Sequence, residues 1–110
     1  MAALTGTITY RTREALPAGA VIEVRLLDVS RADAPADTLA RTEIVTEGEQ
    51  LPVPFALRYA ASLVQPRRRY SVQATISVEG RVAWRTTAAY PVFVEGKATT
   101  RVDVVVEPVR

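Results

Sequence analysis

The chain has 110 residues, 48% hydrophobic and 24% charged, with a formal net charge of +2. By length this is one domain, residues 1–110, large enough to bury a core. Cysteine and histidine are both absent, which excludes disulfides, thiolate chemistry, His-dependent triads and the usual zinc ligands.

What remains for catalysis is carboxylates, Lys97, tyrosines and hydroxyls. The chain therefore reads as a non-enzyme that needs no cofactor. Residues 1–55 carry a charge of −3 and residues 56–110 a charge of +5. β-Sandwiches interleave their strands, so this split names no partner. No apolar run reaches the ~18 residues of a membrane span.

In chain order, the first element is "MAALTGTITY". It lacks the basic start and apolar core of a signal peptide. Leu4, Gly6, Ile8 and Tyr10 alternate with threonines, as in a half-buried strand. "VIEVRLLD" sets Ile22, Val24 and Leu26 against Glu23 and Arg25. The stretch holding Glu43, Glu47 and Glu49 reads as an acidic loop, with nothing to raise a carboxylate pKa for glycoside chemistry. "VPFALRY" offers Val53, Phe55, Leu57 and Tyr59. The one near-helical window, Tyr59–Pro66, is closed by its proline after about one turn.

"YSVQATISV" puts Tyr70, Val72, Ala74 and Ile76 inside, and "RVAWRT" puts Val82 and Trp84 inside. "TTRVDVVVE" alternates Thr100, Val102, Val104 and Val106 with charged residues. Turns are expected at Leu16–Gly19, Ala32–Asp37, Glu47–Pro52, Val64–Arg68, Val78–Gly80 and Val94–Lys97. About seven one-sided strands predict an all-β fold, an antiparallel two-sheet β-sandwich of immunoglobulin-like or prealbumin-like type, with a small closed barrel as the alternative. One register can be argued. If Ile76 and Val82 both point inward they are partners, Ala74 then faces Trp84, and Val78-Glu79-Gly80 is a three-residue loop with Gly80 left-handed.

Four constellations could carry chemistry. Asp28, Ser30, Asp33 and Asp37 follow a regular strand, but a calcium loop usually has a glycine at its sharp turn, and Arg31 would compete with a cation. The expected role is turn formation, with no metal. "PRRRY", Pro66–Tyr70, is the one basic run, and reads as a solvated strand entrance without the exposed aromatics of a nucleic-acid reader. Trp84 and Tyr90 read as core anchors, with a small-molecule or glycan cleft beside them as the alternative. Leu27, in phase with Glu23 and Arg25, and Val105, between Asp103 and Glu107, place apolar side chains on outward faces.

Four stretches, "LTGTITYR", "ALPAGAVIEVRLLDVSRADAPA", "LPVPFALRY" and "YSVQATISVEGRVAWRTTAAYPV", resemble in order and spacing the YbaY-type domain family, grouped with the YscW lipoprotein chaperones of type III secretion. The resemblance covers nearly the whole chain. It implies a small β-sandwich of bacterial envelope lipoproteins, in the periplasm or attached to the outer membrane, without catalytic residues to carry over. The YscW branch are pilotins, which bind a secretin subunit. By that resemblance Leu27 and Val105 are expected on exposed sheet surface, with at least one bordering a docking site for a secretin-like envelope protein. No nucleic acid is implied, and membrane contact only through a lipid anchor. The lipidated cysteine and its signal are not among these residues, so either they precede this segment or this member is unanchored and, lacking a signal, cytoplasmic.

Overall fold

The computed structural model describes residues 2–31 and 33–109; Met1, Ala32 and Arg110 lie outside the described residues, so the turn expected over Ala32–Asp37 is followed from Asp33. Among the described residues nine strands succeed one another: β1 (Ala2–Thr9), β2 (Val21–Asp28), β3 (Asp37–Val45), β4 (Val53–Tyr59), β5 (Tyr70–Val78), β6 (Arg81–Arg85), β7 (Pro91–Val92), β8 (Val104–Val105) and β9 (Glu107–Pro108). The helical content of the described residues is two single 3-10 turns, Ala61–Leu63 and Val94–Gly96. No helix among the described residues is long and apolar enough to cross a membrane.

The strands form two sheets, one ordered β4-β1-β8 and one ordered β3-β2-β5-β6-β9, with β7 also on β5. Period two in the sequence becomes a one-sided core because alternate side chains leave opposite faces of a strand. Leu4 and Ile8 of β1, Ile22, Val24 and Leu26 of β2, Leu57 of β4 and Ile76 of β5 are all fully buried. They pack in one cluster between the sheets.

The C-terminal stretch, expected as a single strand, divides between the sheets. β8 lies on β1, with Ile8 opposite Val104, and β9 lies on β6, with Trp84 opposite Pro108. Val106 sits fully buried at the crossing, its N–H donated to the Thr9 carbonyl at 2.8 Å. The β1–β8 pair is parallel, a departure from the all-antiparallel expectation. This segment closes one corner of the sandwich. At the opposite corner β3 and β4 run beside each other with no ladder between them.

Two local readings are corrected. Glu43 does not lie in a loop but in β3, a nine-residue strand. The alternation there is hidden because Leu39 is bulged out of register, between the pairs Leu26–Ala40 and Leu27–Thr38, and the inward set after it includes small and polar Ala40 and Thr42. In the β5–β6 hairpin, Ile76 is opposite Trp84 and Ser77 opposite Val82, leaving Ala83 as an extra residue. Glu79 (φ 52°) and Gly80 (φ 80°) are both left-handed, which makes a two-residue turn closed by the pair Val78–Arg81. The bulge resets the phase, so Trp84 points inward while Val82 is 45% exposed. Arg81 shares the inward phase only at the hairpin tip, beyond the core, and stays exposed.

Candidate docking groove

The stretch that ends β2 organises one end of the molecule. Asp28 accepts a hydrogen bond from the Ser30 N–H at 2.9 Å through Oδ1, and one from Arg68 Nη1 at 2.9 Å through Oδ2. Ser30 Oγ in turn accepts the Arg69 N–H at 2.9 Å, and the Val29 N–H reaches the Arg69 carbonyl at 2.8 Å. Burial pushes the Asp28 carboxyl upward, but the hydrogen bonds from Ser30 and Arg68, with the Arg68 charge, outweigh it and hold the group below the usual carboxylate range. Asp28, the last residue of β2, thus shapes the turn that follows and ties it to the arginine loop, while Asp37 lies at the start of β3, opposite Asp28.

The arginine loop is a turn begun by Pro66, with the Arg68 N–H donated to the Gln65 carbonyl at 3.1 Å. Tyr70, the first residue of β5, fixes its approach: its hydroxyl accepts the Gln65 N–H at 2.8 Å and donates to the Leu63 carbonyl at 3.2 Å. Across from it, β7 runs into the 3-10 turn Val94–Gly96. Phe93 and Glu95 both have φ of 54°, on either side of Val94. Left-handed backbone costs a non-glycine residue of order 1–3 kcal/mol. Here the rest of the fold overrides that cost. The Phe93 ring is buried against Tyr59 and Tyr70, with centroids at 5.2 and 6.0 Å, and its N–H is donated to Thr99 Oγ1 at 2.8 Å. The result is that Val94, between two constrained residues, is 57% exposed.

Between the two turns opens a groove of about 530 Å³. Val29, Pro66, Pro91, Val92, Phe93 and Val94 give it an apolar lining, and Arg67, Arg68 and Arg69 line it as well. A second, smaller depression of about 240 Å³ shares Val29, Ser71 and Ala89 with it and continues along the sheet.

The residues singled out from sequence lie elsewhere or inside. Leu27 is 6% exposed, which corrects the expectation of an exposed surface position. It belongs to the outward phase of β2, yet it lies at the bottom of the smaller depression beside Ser71, Gln73 and the Thr86–Ala89 loop. Val105 is half-buried, and its backbone is clasped by Tyr90, whose hydroxyl accepts the Val105 N–H at 2.9 Å and donates to its carbonyl at 3.1 Å. Trp84 is 6% exposed and stacks on Tyr10 at 4.5 Å with 10° between planes. Neither Trp84 nor Tyr90 lines the groove. Sequence reasoning missed Val94 and the pairing of its turn with the arginine loop. "VEGK" and "VQPRR" were each legible as turns, but their meeting in space depends on β7 joining β5 at Tyr70 and Ser71.

A family model described as type III secretion system lipoprotein chaperone (YscW) matches residues 1–106, and the chain belongs to that family. Among its relatives, an uncharacterized lipoprotein, YbaY, of Escherichia coli (strain K12) is 37% identical over 107 residues, which cover 97% of this chain and 55% of that protein. The chain thus spans about half the length of that curated relative. The solved structure of an alternative pilotin from the type II secretion system of Vibrio cholerae matches with a TM-score of 0.92 at 40% identity, covering 98% of this chain and 96% of that one. The all-β, two-sheet fold is shared with that pilotin.

Proposed function

We propose that this domain is a non-enzymatic, pilotin-like chaperone module of the bacterial envelope, held near the outer membrane by a lipid anchor, which receives an apolar segment of a secretin-like protein in the groove between the arginine loop and the Val94 turn. The observation that carries this reading is Val94, left 57% exposed between two left-handed residues beside an apolar groove of about 530 Å³. Membership of the lipoprotein-chaperone family and the likeness to a pilotin support it.

A helix suits the groove better than an added strand. Strand addition needs a free row of N–H and C=O groups, but Pro91 of β7 has no N–H and that of Phe93 is already donated to Thr99. A glycan or small-molecule cleft at Trp84 and Tyr90 is not favoured, because one ring is stacked in the core and the other is locked to Val105.

The test is photo-crosslinking in cells from an unnatural residue at Val94, with Val82 on the β6 face as the control. The expected product is a crosslink from position 94 to a secretin subunit and none from position 82. Equal crosslinking from both, or none from 94 in a folded, correctly placed protein, would overturn the assignment of the groove.

A further inference from the structure

The rim of the groove carries information about the occupant's charge. Of its three arginines, Arg68 is committed to Asp28 at 2.9 Å. Arg67 and Arg69 line the same groove and form no ion pair among the described residues. Glu95 is the one acid on the lining and is likewise unpaired among the described residues. Uncommitted cations therefore outnumber uncommitted acids by two to one at the groove.

On the reading that the groove receives a protein segment, we propose that the segment is acidic at its flanks: an apolar face bordered by carboxylates that meet Arg67 and Arg69. An unpaired guanidinium beside an apolar wall is a selective element in two ways. It forms bidentate bonds with a carboxylate, and it repels a cationic segment that would otherwise fit the same apolar wall. The turn that holds Arg67 and Arg69 is anchored through Asp28, Ser30 and the Tyr70 hydroxyl, so the backbone that presents the two charges is fixed before the partner arrives. A membrane surface fits less well. Anionic-lipid recognition usually draws on clusters of roughly four to eight basic residues on one surface, whereas here two free arginines flank a concavity. A single-stranded nucleic acid would want exposed rings to stack on, and Tyr70 and Phe93 are buried.

The inference is tested with three synthetic helical peptides that share one leucine-rich face and carry Glu, Gln or Lys at the flanking positions. Binding to the folded domain is followed by fluorescence anisotropy at low and high salt, for the wild type, for the double variant Arg67→Glu, Arg69→Glu, and for Val94→Asp. Thermal melts confirm that each variant is folded. The Glu peptide is expected to bind about tenfold tighter than the Gln peptide at low salt, as two partly screened ion pairs would give. That gap closes at high salt and reverses in the double variant, which prefers the Lys peptide. Equal binding of the Glu and Gln peptides, lost for both in Val94→Asp, would overturn the acidic-partner inference and leave the groove assignment standing. Failure of all three peptides would overturn both. Binding of phosphatidylglycerol vesicles that is lost in the double variant, with no discrimination among peptides, would make the rim a membrane contact and also overturn the inference.

Discussion

Gly6 lies in β1 where the returning C-terminal segment passes closest. A Cβ placed there would stand 1.6 Å from the Val102 carbonyl oxygen and 2.7 Å from its carbon. These are backbone atoms, so no rotamer change can relieve the clash. The segment is held to β1 by the Thr5 N–H on the Thr100 carbonyl at 3.0 Å and the Val102 N–H on the Thr5 carbonyl at 2.9 Å. Gly6→Ala must push this segment away. Overpacking of a tight site costs about 1–3 kcal/mol, and weakening two backbone hydrogen bonds adds about 1 kcal/mol each. Reduced freedom of the unfolded chain offsets about 0.4–1 kcal/mol. The net expectation is a loss of about 2–4 kcal/mol, read as a lower urea midpoint, or as a fall in Tm of about 10 °C or more for a domain of this size. The Phe55 ring also approaches, with Cε1 at 3.0 Å, yet a Phe55→Leu change should not rescue the variant, since the severe contact is with backbone. A Gly6→Ala protein within about 0.5 kcal/mol of wild type, the range of an ordinary surface change, would refute the claim that the C-terminal segment and β1 are in direct backbone contact.

Three further outcomes are expected. Asp28, held below the usual carboxylate range, contributes stability that is present above its unfolded pKa of about 3.9 and is lost as pH falls through its lower folded value. The stability difference between wild type and Asp28→Asn, measured by urea unfolding at a series of pH values, should therefore be constant from neutrality to about pH 5 and shrink at lower pH; a difference that grows on acidification would contradict the sign. Tyr90→Phe removes both hydrogen bonds to the Val105 backbone and should cost about 1–3 kcal/mol in chemical denaturation, where a neutral change would show that the clasp adds nothing. Gly80→Val puts a β-branched side chain at φ 80° and should lower stability by about 1–2 kcal/mol, although space around it is open; an unchanged melt would mean the turn can take another form.

The alternating strands were legible because burial of one face writes itself into every second residue. Leu4, Ile22, Phe55, Val72 and Val104 were all placed inside from spacing alone, and all are buried. What spacing cannot show is an inserted residue. At Ala83 and at Leu39 a bulge shifts the phase by one, and the readings of Val82 and of the Glu43 stretch went astray there. Leu27 shows a different limit. Its outward phase was read correctly, but a loop from another part of the chain adjoins it. The groove was the least legible feature, since it arises where two segments, each polar or turn-like by itself, are brought side by side by β5 and β7.

The way the C-terminal segment crosses from β1 to β6 also sets an order of events in the life of the chain. β1 at residues 2–9 finds its parallel neighbour only at residues 100–105, and β6 meets β9 only at residues 107–108. Contacts this distant along the chain carry a loop-closure cost that slows folding. A polypeptide emerging from a ribosome has no second flank for β1 and no seal at that corner until residues 100–108 have appeared. The corner between β1 and β6 therefore closes only once residues 100–108 are available to it.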